Sequence, residues 1–148
     1  LRSEQDGHDL AHRAQPPIVH VGRANNSFQR LEVLKRNRTR RRQYGECFVE
    51  GVRPIQRLVD ARWQVRYVCS EDGRPLSSWA QSIIDASGAR RHYRLAPELM
   101  EALSDREQPS ELLLVAELRT LRLEDLSLPE DLLVVVLDRP TSPGNLGT

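Results

Sequence analysis

Between residues 25 and 118 the apolar positions follow two alternating rhythms. Phe28, Leu31 and Leu34 recur at the spacing of one helix face, behind Asn25, Asn26 and Ser27, which are good N-cap residues. Gly45 is the expected end of that helix. "ECFVEG" reads as a short strand closed by Gly51. In "VRPIQRLVDAR", Ile55, Leu58 and Val59 return to helical spacing, with Pro54 suited to a first turn. "WQVRYVCS" alternates as a strand, and "LSSWAQSIIDASG" turns Leu76, Trp79, Ile83 and Ile84 to one helix face before Gly88. "RRHYRL" is a short strand, and "APELMEALSD" is a helix with Leu99, Met100 and Leu103 inward. "ELLLVAEL" is apolar throughout, as a strand covered on both faces must be. Helices alternating with strands predict an α/β fold, a three-layer α/β/α sandwich with a mixed sheet.

The flanks read differently. Residues 1–24 are polar, contain Pro16 and Pro17, and are expected to form a flexible arm with a short apolar touch at Ile18, Val19 and Val21. Residues 25–118 form the expected domain, and residues 119–131 the expected linker. Residues 132–138, "LLVVVLD", read as a new apolar strand, the start of a second, truncated domain over residues 132–148. The chain is therefore expected to be a fragment of a longer protein.

Composition narrows the class. The 148 residues suffice for one well-cored domain, and no apolar run reaches the length of a membrane span. The N-terminus has no signal-peptide core, so a cytoplasmic location is expected and no membrane partner. Cys47 and Cys69 read as small buried hydrophobes. His8, His12, His20 and His92 do not join them at ligand spacing, and no metal is expected.

Charge changes the picture more. Residues 1–70 hold 14 Lys and Arg against 7 Asp and Glu, whereas residues 71–148 hold 8 against 14. Such asymmetry points to a basic surface that meets a polyanion. All the cations but Lys35 are Arg, as GC-rich codon usage favours, so their clustering is more telling than their abundance.

The sharpest cluster is "KRNRTRRR", with Lys35, Arg36, Arg38, Arg40, Arg41 and Arg42. It reads as a continuation of the first helix beyond its last apolar residue, with cations on all sides, projecting into water or onto a partner. Phosphate suits it, because neutralising phosphates releases counterions, and arginine adds bidentate contacts and stacking on unpaired bases. A solvated helix end favoured by the helix dipole is the plainer alternative. Arg53 extends the basic surface in support. Arg57 does the same or pairs with Asp60. Glu50, a lone carboxylate at a strand end, is expected to cap or pair rather than catalyse. No nucleophile constellation is present, and "SPGNLG" lacks the Gly-Lys-Ser/Thr of a P-loop.

The stretch "VVVLDRPTSPGNLGT" resembles the first signature motif of the SpoU (TrmH-type) RNA 2′-O-ribose methyltransferases of the SPOUT superfamily. That motif is an apolar strand, an Asp, a short Pro-containing turn and Asn-x-Gly opening a helix. Residues 132–137, Asp138, Pro143, Asn145 and Gly147 match it in order. The basic first helix, "FVEGVRPIQRLVDA", the strand after Trp63 and "ELLLVAEL" before a linker look like the family's substrate-binding domain, which has the fold of the kink-turn-binding ribosomal proteins.

The resemblance implies a knotted catalytic domain beyond this chain, binding S-adenosylmethionine, usually homodimeric, and methylating a ribose 2′-hydroxyl of rRNA or tRNA. It places Asn145 in an incomplete catalytic site and no cofactor-binding residue in this chain, so the fragment is expected to be inactive. The kink-turn proteins carry Asn-Glu after the first strand's glycine. Here Val52, Arg53 and Pro54 stand there, so a different RNA loop or tertiary fold is the expected target. Two other readings stand beside this one: a complete, non-catalytic RNA-binding module of ribosomal-protein type, and a protein-interaction domain whose basic helix takes an acidic partner.

Overall fold

A computed structural model describes residues 15–106, 108–120, 122–127 and 129–135. The elements run β1 (Ile18–Val21), α1 (Asn26–Arg36), α2 (Arg38–Tyr44), β2 (Glu46–Glu50), α3 (Val52–Asp60), β3 (Val65–Glu71), α4 (Ser78–Ser87), β4 (Arg91–Leu95), α5 (Pro97–Leu103) and β5 (Leu113–Glu117). A 3-10 turn, Leu123–Asp125, follows. The sheet order is β1-β4-β3-β5-β2. β1, β4 and β3 are parallel, whereas β5 runs antiparallel to both β3 and β2. The sheet is mixed, with helices on both faces, as the alternation of helix and strand predicts.

Side-chain alternation along the strands divides the core in two. Cys69, Tyr93, Leu95, Leu113 and Val115 pack with Phe28, Leu31 and Leu34 of α1 and with Leu99, Met100 and Leu103 of α5. Val65, Val68, Leu114 and Ala116 face the other way, onto Ile55 and Leu58 of α3 and Ala80, Ile83 and Ile84 of α4. β5 feeds both cores, which is why its sequence is apolar without interruption. Cys69 belongs to the first core and Cys47 borders the second, so both thiols are free and lie on opposite faces of the sheet. Burial pushes the Cys69 thiol up to about 12.

Three expectations need correction. First, residues 18–21 are not part of an arm. They pair in parallel with β4 as an edge strand, and Val21 is buried in the first core. Four residues with a polar His20 among them carry little periodicity, and only the β4 edge makes them a strand.

Second, the basic run does not continue α1. Asn37 is extended (φ −119°, ψ 104°) and ends α1 while starting α2. Its Oδ1 accepts from Arg40 N–H at 3.0 Å, an N-cap bond that competes with helix continuation. Gly45 then stops α2 at φ 62°, a left-handed conformation that suits glycine.

Third, residues 132–135 form no strand and are exposed, Leu133 by 89%. A strand needs a neighbour for its backbone groups, and among the described residues these have none. Residues 136–138 and the motif residues Asp138, Pro143, Asn145 and Gly147 lie outside the described residues, as do His8 and His12.

Candidate nucleic-acid interface

The basic run separates into two kinds of cation. Lys35 turns inward: its Nζ donates to the carbonyls of Ser104 (3.0 Å) and Ala102 (3.4 Å) and sits 2.8 Å from an Asp105 carboxylate oxygen. Arg41 also turns back, donating from Nη1 to the carbonyls of Leu34 (3.0 Å) and Lys35 (2.8 Å). Those are carbonyls of the last turn of α1, which lack intrahelical partners. Both side chains therefore do structural work, contrary to the expectation that the whole run projects outward.

Arg36, Arg38, Arg40 and Arg42 are exposed. Arg36 is loosely paired with Glu32 at 3.8 Å, and Arg40 donates to Gln43 at 3.0 Å. Helix α2 has no buried residue at all, so its outward face is a ridge of guanidinium groups. Arg53 is exposed too, but it stands on α3, which begins at the opposite end of β2 from Gly45.

At the Gly45 end of β2 lies a feature that linear reading missed. A cleft of about 500 Å³ is lined by Arg30 of α1, Tyr44 at the end of α2, Tyr67 of β3, and Arg91 and Tyr93 of β4. All three tyrosines of the chain meet there. The Arg30 guanidinium lies 4.4 Å from the Tyr44 ring centroid. It is held by Glu46, whose carboxylate accepts at 3.0 Å and is only 2% exposed. Arg66 approaches Glu46 at 3.8 Å and Glu117 at 2.8 Å, so Glu46 is a fixed anchor rather than a free acid. Tyr67 and Tyr93 pack at 5.3 Å with their planes inclined by 58°. The cleft residues come from four elements, with no regular spacing to reveal them; the only linear clue is the scarcity of tyrosine.

Two polar clusters do other work. Glu50 accepts from Ser104 Oγ at 2.5 Å and from Asp105 N–H at 3.2 Å, tying β2 to the segment after α5 as a structural carboxylate. Gly51 beside it has φ 101°, and a Cβ there would fall 2.7 Å from an Arg106 nitrogen. Ser70 Oγ and His92 Nε2 lie 2.7 Å apart, both buried. Burial, then the charges of Arg94 and His20, hold His92 below its ordinary pKa. The closed hydroxyl has no route to a substrate, so the pair is internal packing.

Comparison with known proteins fits this architecture. The family model of the SpoU L30e-like domain matches residues 25–115, and the chain belongs to that family. A 23S rRNA (uridine(2479)-2′-O)-methyltransferase of Streptomyces viridochromogenes is 36% identical over 134 residues, covering 90% of this chain and 46% of the relative. The crystal structure of the SpoU methyltransferase AviRb from the same organism, in complex with AdoMet, superposes with a TM-score of 0.70 at 37% identity, over 84% of this chain and 47% of that one. An RNA 2′-O ribose methyltransferase structure shares the fold, with a TM-score of 0.65 at 24% identity, over 87% of this chain and 49% of that one. The chain thus spans about half the length of these relatives.

The cleft presents two cations, Arg30 and Arg91, which attract a phosphate. Among the described residues, no helix is long and apolar enough to cross a membrane.

Proposed function

We propose that this chain is the RNA-recruiting part of an S-adenosylmethionine-dependent RNA 2′-O-ribose methyltransferase acting on rRNA or tRNA. In this reading the exposed Arg36, Arg38, Arg40 and Arg42 grip phosphates, with Arg53 as a separate contact. Lys35 and Arg41 hold the two helices in place. Cofactor binding and methyl transfer belong to a further domain, which also makes the homodimer. Asn145 contributes to that domain's active site, and residues 1–148 alone are inactive. The setting is cytoplasmic.

The observation that carries the reading is α2 itself. A helix with no buried side chain contributes nothing to the core, yet its caps and Arg41 keep it folded with cations outward. Phosphate contacts of this kind set affinity and position, while RNA shape and unpaired bases set specificity. Membership of the SpoU family and the rRNA methyltransferase among the relatives support the same conclusion.

The test is binding to rRNA and tRNA transcripts across a salt series. The expected result is preference for one RNA, with affinity falling steeply as salt rises. Equal, salt-insensitive background binding to both would contradict it. A methylation assay with radiolabelled methyl donor is expected to give no incorporation from this chain alone.

A further inference from the structure

We propose that the tyrosine-arginine cleft is a stacking pocket for one unpaired nucleobase of the RNA. The proposal rests on the RNA-recruiting reading and deepens it by naming what the domain reads beyond phosphate.

Several observations converge on the cleft. Its volume, about 500 Å³, falls in the range of small-ligand sites. Its walls are aromatic and cationic together, the combination that single-stranded nucleic acid selects: rings stack on bases, and arginine stacks or takes the phosphate. Tyr44 is 39% exposed, so a ring face is available rather than consumed by the core. Arg30 is already aligned on Tyr44 and fixed by the buried Glu46, so the platform exists before any ligand arrives. Little ordering entropy then remains to be lost on binding.

The Arg30 side chain also remains accessible. Arg30 Nε is buried without a partner. That atom is closed to a ligand, but the Arg30 side chain as a whole is 41% exposed, so the guanidinium can still meet a base edge or a ribose oxygen. Arg91, exposed at the start of β4, supplies a cation at the cleft wall for the flanking phosphate.

The position matches the phosphate ridge. Tyr44 is the last residue of α2, and Arg40 precedes it by four residues on the same helix face. An RNA strand gripped along α2 is therefore led to the Tyr44 end. An acidic peptide would satisfy the arginines but would leave the exposed Tyr44 ring without a flat partner, so the cleft favours RNA over a carboxylate-rich protein.

The experiment uses the whole chain and a short single-stranded RNA carrying one 2-aminopurine, whose fluorescence falls when the base stacks. Tyr44→Ala and Tyr44→Phe are compared with the wild type. Circular dichroism verifies folding, which an exposed position at a helix end should preserve. The wild type is expected to quench the fluorophore. Tyr44→Ala is expected to abolish quenching and weaken binding about tenfold with an unchanged salt slope. Tyr44→Phe is expected to keep both.

RNA that binds with a normal salt slope but shows no quenching, or no loss in Tyr44→Ala, would overturn the pocket while leaving the recruiting reading intact. Absence of RNA binding at any salt would overturn both. Polyglutamate displacing RNA at equal charge concentration would overturn both in favour of an acidic protein partner.

Discussion

Helices α1 and α2 are separated by one residue and are both cationic, yet they do opposite things. α1 places Phe28, Leu31 and Leu34 in the core and uses Lys35 to tie its end to the segment after α5. α2 buries nothing and keeps Arg38, Arg40 and Arg42 in water. Charge alone does not distinguish the two. What distinguishes them is whether apolar residues recur beneath the charge, and whether each cation finds a backbone carbonyl to meet. A run of like charges is thus a mixture of structural and free groups, and only the free ones are available to a partner.

Substitutions on the α1 side are expected to have the largest effect. Leu34 is fully buried, and Leu34→Ala is expected to cost about 3 kcal/mol through lost burial and a residual cavity. A fall in the urea midpoint would register it, with RNA affinity of the folded fraction unchanged. Next comes Arg41→Ala, which strips two carbonyls of a charged donor. The expected loss is about 1–2 kcal/mol in the same measurement, with little change in the salt slope of RNA binding. Asn37→Ala removes the N-cap of α2 and is expected to cost about 1 kcal/mol, with a small loss of helical circular dichroism.

His92 extends the contrast to an ionisable group facing inward. Its folded pKa lies below the ordinary 6.5, first through burial and then through the charges of Arg94 and His20. Above pH 6.5 both folded and unfolded states leave it neutral, and its contribution is fully present. As pH falls below that value the unfolded chain takes up a proton that the folded one refuses, so stability declines. Urea midpoints from about pH 7 to about pH 5 should fall in the wild type, and fall less in His92→Gln. The smallest stability effect is expected from α2: Arg38, Arg40 and Arg42 together changed to Ala should stay within about 0.5 kcal/mol of the wild type.

Much of the fold was legible because apolar spacing is a local signal. Phe28, Leu31 and Leu34, or Leu99, Met100 and Leu103, announce a helix wherever they stand, and the unbroken apolar β5 announces a strand with two covered faces. What was not legible depends on partners. Residues 18–21 become a strand only beside β4, and residues 132–135 look like a strand but find no neighbour among the described residues.

The site divides along the same line. The cluster at residues 35–42 is visible in sequence, and Asn37, a good cap residue inside it, was the available clue to the break. The inward turn of Lys35 and Arg41 follows from carbonyls that tertiary structure brings near. The meeting of Tyr44, Tyr67 and Tyr93 in one cleft follows from strand order, which no spacing along the chain encodes.

The central claim is that α2 is held in place for its free arginines. Its most direct test is the salt dependence of RNA affinity for the wild type, the Arg38, Arg40 and Arg42 triple alanine variant, and Arg41→Ala. The triple variant is expected to lower the slope of log affinity against log salt by about 2, as three lost phosphate contacts on single-stranded RNA require. Arg41→Ala should leave that slope nearly unchanged. An unaltered slope in the triple variant, with a clear drop from Arg41→Ala alone, would contradict the division between outward and inward cations on which the account depends.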